Sequence, residues 1–341
     1  MIKVGVIGCG YWGPNLIRNF NALPNVELSV IADLDTKRLT QVGMMYPNTK
    51  QTTDYKEILA DPEIDAVVVA TPMSTHFPIS KEVLEAGKHL FLEKPMATNT
   101  DDCRTLNSLA KSKNLQIMVG HTFIYTSAVR KIKSLMDSGE MGDIHYVNIE
   151  RVNLGLFQKD ANVVWDLAPH DVAMLNFLFE SKPIRVNATG HCYVQKDLGI
   201  EDVAFITLEY PGGHLANIHV SWLDPCKIRR CTFVGSRKML VYDDMSPSEK
   251  IRVYDKGVDV QPHYEGFGEF QLMYRSGDIF SPQIDTAEPL KAEAAHFVDV
   301  IEGKAIGLST GQHGLEVVQV LEQACESLKS GGKPFDLVYK D

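Results

Sequence analysis

The sequence has no excess of basic residues, no long apolar run, no internal repeat and no low-complexity segment. Its 34 lysines and arginines face 44 aspartates and glutamates, which gives a formal net charge of -10. Nucleic-acid binding selects for a basic surface, so this balance argues against such a partner. No apolar stretch approaches the ~20 residues of a membrane-spanning helix. We therefore expect a globular protein with neither a nucleic-acid nor a membrane partner.

The six cysteines are scattered along the chain, and no CxxC pair occurs among them. Cys226 and Cys231 could be combined with His191 and Cys192 as zinc ligands. Free structural thiols are favoured because zinc sites normally show closer ligand spacing, and no metal site is predicted. The first apolar run begins directly after Met1, with no signal peptide in front of it. A reduced, cytoplasmic protein is the simplest expectation.

At 341 residues the chain suits two domains. In its first third, apolar runs without polar alternation are separated by helical segments, which predicts a doubly wound parallel sheet of the Rossmann type, an α/β fold. After about residue 122, longer strands with a period of two predict an α+β domain with a large open, mainly antiparallel sheet. We place a dinucleotide-binding domain at 1–122 and a substrate-binding and oligomerisation domain at 123–341.

Three details of the second domain follow from local patterns. Pro211-Gly212-Gly213 separates two predicted strands as a hairpin would. One helix, predicted over 169–179, interrupts the strands, and residues 244–286 show a mixed pattern of strands and loops. An open sheet needs a cover on its second face, and a partner subunit is the economical candidate. A homodimer or homotetramer formed through this sheet is therefore expected.

A glycine-rich turn, GCGYWG at 8–13, follows the first predicted strand and precedes a helix. Gly8 permits the turn, Gly10 lets the backbone approach a pyrophosphate, and Gly13 allows the helix to pack closely on the strand. The helix N-terminus would then face the phosphates. The turn therefore predicts a dinucleotide site with contacts from Gly8, Gly10, Tyr11, Trp12 and Gly13.

Asp33 ends the next strand, twenty residues after Gly13. A carboxylate there accepts hydrogen bonds from the adenosine ribose and repels a 2′-phosphate, which favours NAD over NADP. Lys37 and Arg38 follow closely and could embrace a 2′-phosphate, so the NADP alternative stays open.

The remaining predicted strands of this domain also end in polar or conformationally restricted residues. Ligands of open α/β sheets bind at the carboxyl ends of the strands, so we expect these residues to converge on the cofactor. They are Thr71, Pro72, His76, Glu93, Lys94 and His121.

Lys94 follows the apolar run 89–92 and precedes Pro95, which restricts its backbone. Beside a positively charged oxidised nicotinamide the ammonium form is disfavoured, so this lysine could exchange protons near neutrality. The alternative is an exposed lysine paired with Glu93.

The segment 165–171, WDLAPHD, opens the predicted helix. Pro169 fits a first helical turn, which would place His170 near the positive helix end and favour the neutral imidazole of a general base. Asp166 lies four residues earlier and could orient the imidazole or the substrate hydroxyls. The alternative is an N-cap aspartate beside a buried structural histidine.

These segments resemble the Gfo/Idh/MocA oxidoreductase family over nearly the whole chain. Further shared landmarks are Val4 to Gly8, Glu93-Lys94-Pro95, Ser138 to Asp143 and Pro289 to Glu293. The resemblance implies NAD(P)-dependent oxidation or reduction at a sugar or cyclitol carbon, with Lys94, Asp166 and His170 at the catalytic positions. It also implies assembly through the open sheet.

Some positions depart from the family pattern. Many members have glycine where Ala168 stands and a second aspartate at the position of Ala173, whereas this chain has Asp171 instead. The segment 120–125 lacks the arginine often found there. The stretch 165–171 is most similar to the subgroup of 3-dehydrogenases that act on nucleotide-activated N-acetylhexosamines.

The expected reaction is therefore NAD-dependent oxidation, or the reverse reduction, of a secondary hydroxyl of a nucleotide-activated sugar at C3, such as UDP-N-acetylglucosamine or its uronate. Alternatives are a dehydrogenase of free cyclitols or sugars, and a cofactor-binding regulator without turnover. Arginine is the side chain best suited to bind a diphosphate. Arg151, or the basic group Lys227, Arg229 and Arg230, could provide this contact. The predicted substrate contacts are Lys94, Tyr125, Arg151, Asn153, Trp165, Asp166 and His170.

Overall fold

The computed structural model describes residues 1–259 and 273–339, so part of the mixed segment 244–286 lies outside the described residues. Within these ranges the strands are β1 (Ile2–Ile7), β2 (Val26–Ala32), β3 (Lys50–Thr52), β4 (Ala66–Val69), β5 (His89–Leu92), β6 (Ile117–Val119), β7 (Ile144–Val152), β8 (Arg185–His191), β9 (Val203–Glu209), β10 (Leu215–Ser221), β11 (Ile228–Gly235), β12 (Met239–Asp243), β13 (Ile251–Asp259), β14 (Met273–Phe280) and β15 (Phe335–Asp336). The α-helices are α1 (Gly13–Asn21), α2 (Thr36–Met45), α3 (Lys56–Ala60), α4 (His76–Glu85), α5 (Thr100–Lys113), α6 (Ser127–Asp137), α7 (Val163–Phe179), α8 (Pro289–Ile301) and α9 (Gly311–Lys329).

The chain divides into two compact units. The first comprises residues 1–126 and 287–322, and the second comprises 127–286 and 323–341. The second domain predicted from the sequence ran without a break from 123 to 341. The structure instead groups α8 and most of α9 with the first unit.

Aromatic packing explains why α8 belongs to the first unit. Phe20 of α1, Phe91 of β5 and Phe297 of α8 are fully buried and meet edge to face, with ring centroids 5.6 to 6.2 Å apart. Such pairs are favourable beyond the area they bury. Arg18 of α1 also donates two hydrogen bonds to Glu288, just before α8, at 2.9 and 2.5 Å. The contacts to α8 and Glu288 join segments more than 200 residues apart in sequence, which local patterns do not reveal.

The first unit is built on a six-stranded sheet in the order β3-β2-β1-β4-β5-β6. Every pairing in it is parallel, and β4 is buried along its whole length. The strand order reverses direction between β1 and β4, which is where such sheets bind their ligands. The predicted Rossmann-type sheet is confirmed.

The second unit is built on a nine-stranded sheet in the order β14-β13-β12-β11-β7-β10-β9-β8-β15. Its pairings are antiparallel apart from β10 with β7. The predicted hairpin is present, with β9 and β10 paired on either side of 211–213. Helix α7 packs against β7, β9 and β10. The open, mainly antiparallel sheet is thus confirmed.

Three further observations concern membrane-spanning helices, the cysteines and possible metal sites. Among the described residues, no helix is both long and apolar enough to cross a membrane. All six cysteines are free thiols. No group of three or more histidine, cysteine or acidic side chains within 1–259 and 273–339 has the arrangement of a metal site. The cytoplasmic location stays a prediction.

Candidate functional site

The glycine turn lies between β1 and α1. Gly8 has a φ of 102°, and a Cβ on it would lie 2.5 Å from the carbonyl oxygen of Ala70. A Cβ on Gly13 would collide with the carbonyl oxygen of Gly8. A Cβ on Gly10, by contrast, would approach Arg38 no closer than 3.7 Å, so the space beside Gly10 is open. Gly8 and Gly13 are therefore required by packing, whereas Gly10 leaves room for a ligand.

Asp33 organises this turn. Its carboxylate accepts hydrogen bonds from the backbone amide of Cys9 at 2.5 Å and from that of Asp35 at 2.7 Å. The nearby Cys9 thiol is buried, and burial together with the Asp33 charge raises its pKa to about 12. A neutral thiol and a fixed carboxylate therefore border the turn.

The turn fits a dinucleotide. Helix α1 begins at Gly13, and Trp12 at its N-cap provides no side-chain hydrogen bond within the described part of the chain. The first-turn amides of a helix have no acceptor inside it and carry partial positive charge, which suits a phosphate. Tyr11 and Trp12 are exposed beside it. Gly10, the start of α1 and Asp33 would hold the pyrophosphate and the adenosine ribose.

His76, at the start of α4, connects the ends of two strands. Its Nε2 lies 2.9 Å from the carbonyl oxygen of Thr71, after β4, and its Nδ1 lies 2.7 Å from that of Pro95, after β5. The ring is 1% exposed, and burial lowers its pKa. His76 therefore holds together the segments that carry Thr71 and Lys94, while Pro72 is exposed at the surface. Their predicted contacts to the cofactor stay predictions.

Lys94 is half-buried directly after β5, and its backbone amide donates to the Glu93 carboxylate at 3.2 Å. Burial raises the pKa of Glu93 to about 7, although the Lys94 charge opposes this shift. Burial also lowers the pKa of His121, with the charges of His313 and Lys94 acting in the same direction. The structure thus groups the predicted residues Glu93, Lys94 and His121 at one end of the sheet.

Two further polar residues, missed by the sequence analysis, belong to this buried group. Glu293 of α8 is fully buried and accepts a hydrogen bond from the Thr122 hydroxyl at 2.7 Å. Burial raises its pKa, and the nearby Glu93 adds to the effect. His313 of α9 packs edge-on against His121, with ring centroids 5.3 Å apart. Glu293 lies in one of the landmark segments, which was the signal available for it.

The surroundings of Tyr125 do not match its predicted role as a substrate contact. The ring is 6% exposed, and its hydroxyl lies 3.2 Å from that of Ser309. The hydroxyl therefore faces the interior of the first unit. Its predicted contact with substrate stays a prediction, and its burial counts against it.

In the second unit, α7 begins six residues earlier than predicted, so placing Pro169 in the first turn was wrong. The helix starts at Val163, and the Asn162 side chain caps it by accepting from the Trp165 amide at 3.3 Å. Pro169 lies inside the helix, and His170 is its eighth residue. The effect of the helix dipole falls off within the first turn. The argument that the helix end keeps His170 neutral therefore fails.

Despite that correction, the positions of Asp166 and His170 still allow them to act together. They are four residues apart on one helix, which places them on the same face, and both are half-buried. One carboxylate oxygen of Asp166 accepts a hydrogen bond from Trp222 Nε1 at 2.9 Å. Trp222 was missed by the sequence analysis, and no motif in the sequence pointed to it. Trp165 lies one residue before Asp166 and is also half-buried.

Arg151 was proposed from the sequence as a diphosphate contact, but in the structure its side chain forms an ion pair inside the protein. It is 5% exposed and donates to both carboxylate oxygens of the fully buried Asp171, from Nε at 2.8 Å and from a terminal nitrogen at 2.6 Å. Bidentate pairs of this kind are strong and directional. Asn153, just beyond β7, is half-buried. Both substrate contacts stay predictions, and the ion pair counts against that of Arg151.

Comparison with known proteins identifies both halves of the chain. A profile described as the oxidoreductase family with an NAD-binding Rossmann fold matches residues 2–121, and one for the GFO/IDH/MocA C-terminal domain matches 129–241. The UDP-N-acetylglucosamine 3-dehydrogenase of Acidithiobacillus ferrooxidans is 25% identical, covering 89% of this chain and 94% of that protein. The inositol 2-dehydrogenase of Rhizobium meliloti is 24% identical, covering 96% and 97%.

The fold is also found among solved structures. The crystallographic chain of the UDP-N-acetylglucosamine 3-dehydrogenase GnnA from Acidithiobacillus ferrooxidans has a TM-score of 0.80 at 23% identity, over 97% of this chain and 98% of that one. At this identity the likeness shows the fold alone.

Proposed function

Since the chain belongs to the Gfo/Idh/MocA oxidoreductases and carries their NAD-binding Rossmann domain, we propose that it oxidises a nucleotide-activated sugar at C3, or reduces the corresponding ketone. The observation that carries this proposal is the segment 165–171, whose Asp166 and His170 share one face of α7. The relation to a UDP-N-acetylglucosamine 3-dehydrogenase over 94% of that protein supports it.

In the proposed reaction, His170 accepts the proton of the C3 hydroxyl as the general base. Lys94 stabilises the oxyanion that develops on the same oxygen, and Asp166 orients the imidazole or the neighbouring hydroxyls. Bound NAD supplies the hydride acceptor. Ketone reduction uses the same groups in reverse, with the imidazolium of His170 returning the proton.

NAD is the proposed cofactor in preference to NADP because of Asp33. Its carboxylate is fixed by two backbone amides beside the glycine turn, so a 2′-phosphate would meet an oriented negative charge. Arg38 is exposed, with its Nε 3.5 Å from the carboxylate of Asp35. Such an exposed pair is weak, so the preference for NAD rests on Asp33.

We also propose that two copies of the chain associate through the outer face of the nine-stranded sheet. This face has a depression of about 460 Å³ lined by polar and aromatic side chains. Phe205 is 53% exposed there and stacks on His219 at 4.3 Å between ring centroids. Aromatic side chains are enriched at protein interfaces, so an exposed phenylalanine in a concave, polar sheet face favours an interaction surface there.

The substrate is tested by a single-turnover experiment on the protein loaded with NAD. UDP-N-acetylglucosamine should reduce the bound NAD and form a ketone, whereas free N-acetylglucosamine should react far more slowly, because the nucleotide contributes binding energy remote from the reacting carbon. Lys94→Ala and His170→Ala should each lower the rate by on the order of 10²-fold. Reduction by myo-inositol, with none by any sugar nucleotide, would assign the chain to the cyclitol dehydrogenases. No reduction by any compound would favour a regulator.

A further inference from the structure

Trp222 is held in a fixed position at the end of β10. The side chain is 1% exposed, its backbone amide donates to the carbonyl oxygen of Asp202 at 2.9 Å, and its own carbonyl oxygen accepts from the amide of Gly155 at 2.9 Å. The ring of Phe157 packs against the indole with 5.7 Å between centroids. A Cβ on Gly155 would lie only 3.0 Å from the indole, so the segment 153–157 is closely applied to it.

The indole points its single polar group at the side chain to which the proposed function assigns an orienting role. Trp222 Nε1 donates to a carboxylate oxygen of Asp166 at 2.9 Å. An indole nitrogen can only donate, so it selects an acceptor and fixes the direction of that oxygen. Hydrogen bonds to ionised acceptors are roughly twice as strong as neutral ones.

A carboxylate on a half-buried helix face has two rotatable bonds, and only some of its rotamers face His170. Trp222 is fixed by the hydrogen bonds of its backbone and by the packing of its ring against Phe157. The bond to Trp222 therefore restricts Asp166 to one family of rotamers. Displacing a functional group by about 1 Å can cost 10²-fold in rate.

We propose that Trp222 is a positioning residue for the reaction, which holds the Asp166 carboxylate in its working orientation through the indole N–H. This inference rests on the proposed function of Asp166. It assigns no contact between Trp222 and the substrate. The closely packed segment 153–157 keeps the indole from turning away from Asp166.

Two substitutions separate the hydrogen bond from the packing. Trp222→His places an imidazole Nε2 where the indole Nε1 lies, because the five-membered rings superimpose, and so it keeps a donor while losing the fused benzene ring. Trp222→Phe keeps a six-membered ring but has no donor. The single-turnover rate of NAD reduction by saturating UDP-N-acetylglucosamine is measured for both, with thermal melting and NAD affinity as controls for folding.

We expect Trp222→Phe to lower the rate about 10-fold and Trp222→His to recover at least half of that loss on a logarithmic scale. In an Asp166→Ala background, which has no acceptor for the indole N–H, the Phe substitution should change the rate less than about 2-fold, since its effect passes through Asp166. A Trp222→Phe rate equal to or above that of Trp222→His would overturn the inference. So would the same fold-loss in both backgrounds.

The proposed function and this inference fail in different ways. Full activity of Asp166→Asn alone would reject the orienting role of Asp166 and with it the role of Trp222, whereas the proposed oxidation itself would stand. Absence of NAD reduction by any sugar nucleotide in the unaltered protein would instead reject the proposed function. Loss of activity in Asp166→Asn with unimpaired Trp222→Phe would leave the proposed function intact and reject the role of Trp222. If neither variant folds, hydrogen exchange of the Trp222 indole in the unaltered protein decides. It should be slow and become fast in Asp166→Ala, and equal exchange in the two proteins would refute the bond.

Discussion

Individual residues in this protein often have a structural role in addition to the one the sequence suggests. Asp33 was identified from its position at the end of β2 as a ribose ligand. The structure adds that its carboxylate holds the amide of Cys9 in the glycine turn. The predicted role would act on the cofactor directly, whereas the observed hydrogen bond acts through the shape of the turn.

Asp33→Ala should therefore weaken NAD binding and reduce the preference for NAD over NADP, because the repulsion of a 2′-phosphate disappears together with the support of the turn. Glu63→Ala is the control, since it removes an exposed carboxylate that pairs with Lys3 before β4, away from the glycine turn in sequence. It should leave the NAD to NADP ratio unchanged. Binding of both dinucleotides is measured by calorimetry. Tighter binding of NADP than of NAD by the unaltered protein would refute the assignment.

The buried carboxyl of Glu293 makes stability depend on pH. Burial raises its pKa in the folded state well above the ordinary glutamate value of 4.5, so the folded protein holds a proton that the unfolded chain releases. Its contribution to stability is fully present below pH 4.5 and is lost as pH rises through the folded-state pKa. Glu93, whose pKa is raised to about 7, acts in the same direction.

Glu293→Gln should therefore make the decline of the free energy of unfolding between pH 5 and pH 8 shallower, without abolishing it, because Glu93 remains. Urea unfolding at several pH values measures this slope. Glu85→Gln, at an exposed position on α4, is the control and should leave the slope unchanged. An identical slope in Glu293→Gln and the unaltered protein would show that Glu293 is not protonated in the fold.

Among the elements, α7 shows most clearly where sequence patterns succeed and fail. A helix carrying His170 was predicted over 169–179, but Pro169 was taken as part of its first turn, so the predicted start came too late in the chain and left Asp166 outside the helix. Asn162, the actual cap, was the competing signal. The parallel strands were easier to predict because each is a short apolar run bounded by its own turn. The Asp171 partner of Arg151 could not be predicted, since their pairing depends on how α7 packs on β7.

The Arg151–Asp171 ion pair should contribute strongly to the packing of α7 on β7. Asp171→Ala leaves a buried guanidinium without its counter-charge, and we expect a loss of about 3 to 5 kcal/mol in the free energy of unfolding. Arg230 and Glu150 form a neighbouring pair at 2.6 Å that is partly exposed. Arg230→Ala should cost less than about 1 kcal/mol. Similar losses for the two variants, measured by denaturant unfolding, would contradict this account of the pair.

At the scale of the whole molecule, the sequence predicted a parallel sheet followed by a mainly antiparallel one, because sheet type depends on periodicity within short windows. It did not predict that α8 belongs to the first unit. That placement depends on burial of Phe297 against Phe20 and Phe91, which lie more than 200 residues away in sequence. The predicted association through the outer sheet face was an inference from an uncovered surface.

Phe205→Asp should weaken this association, because a charge would be buried against the partner's sheet. Sedimentation analysis should show a smaller assembly for this variant than for the unaltered protein. Met44→Asp, at an exposed position of α2 in the first unit, should leave the assembly unchanged. An unaltered protein that sediments as a monomer would reject the proposed interface.

Transfer of hydrogen from C3 of a nucleotide-activated sugar to NAD is the central claim, and isotopic labelling tests it most directly. The protein loaded with NAD is incubated with UDP-N-acetylglucosamine deuterated at C3, and the released dinucleotide is analysed by mass spectrometry. The account predicts that the reduced dinucleotide carries one deuterium and that the sugar product is a ketone at C3. Reduced dinucleotide without deuterium, or no reduction while myo-inositol does reduce the bound NAD, would contradict it.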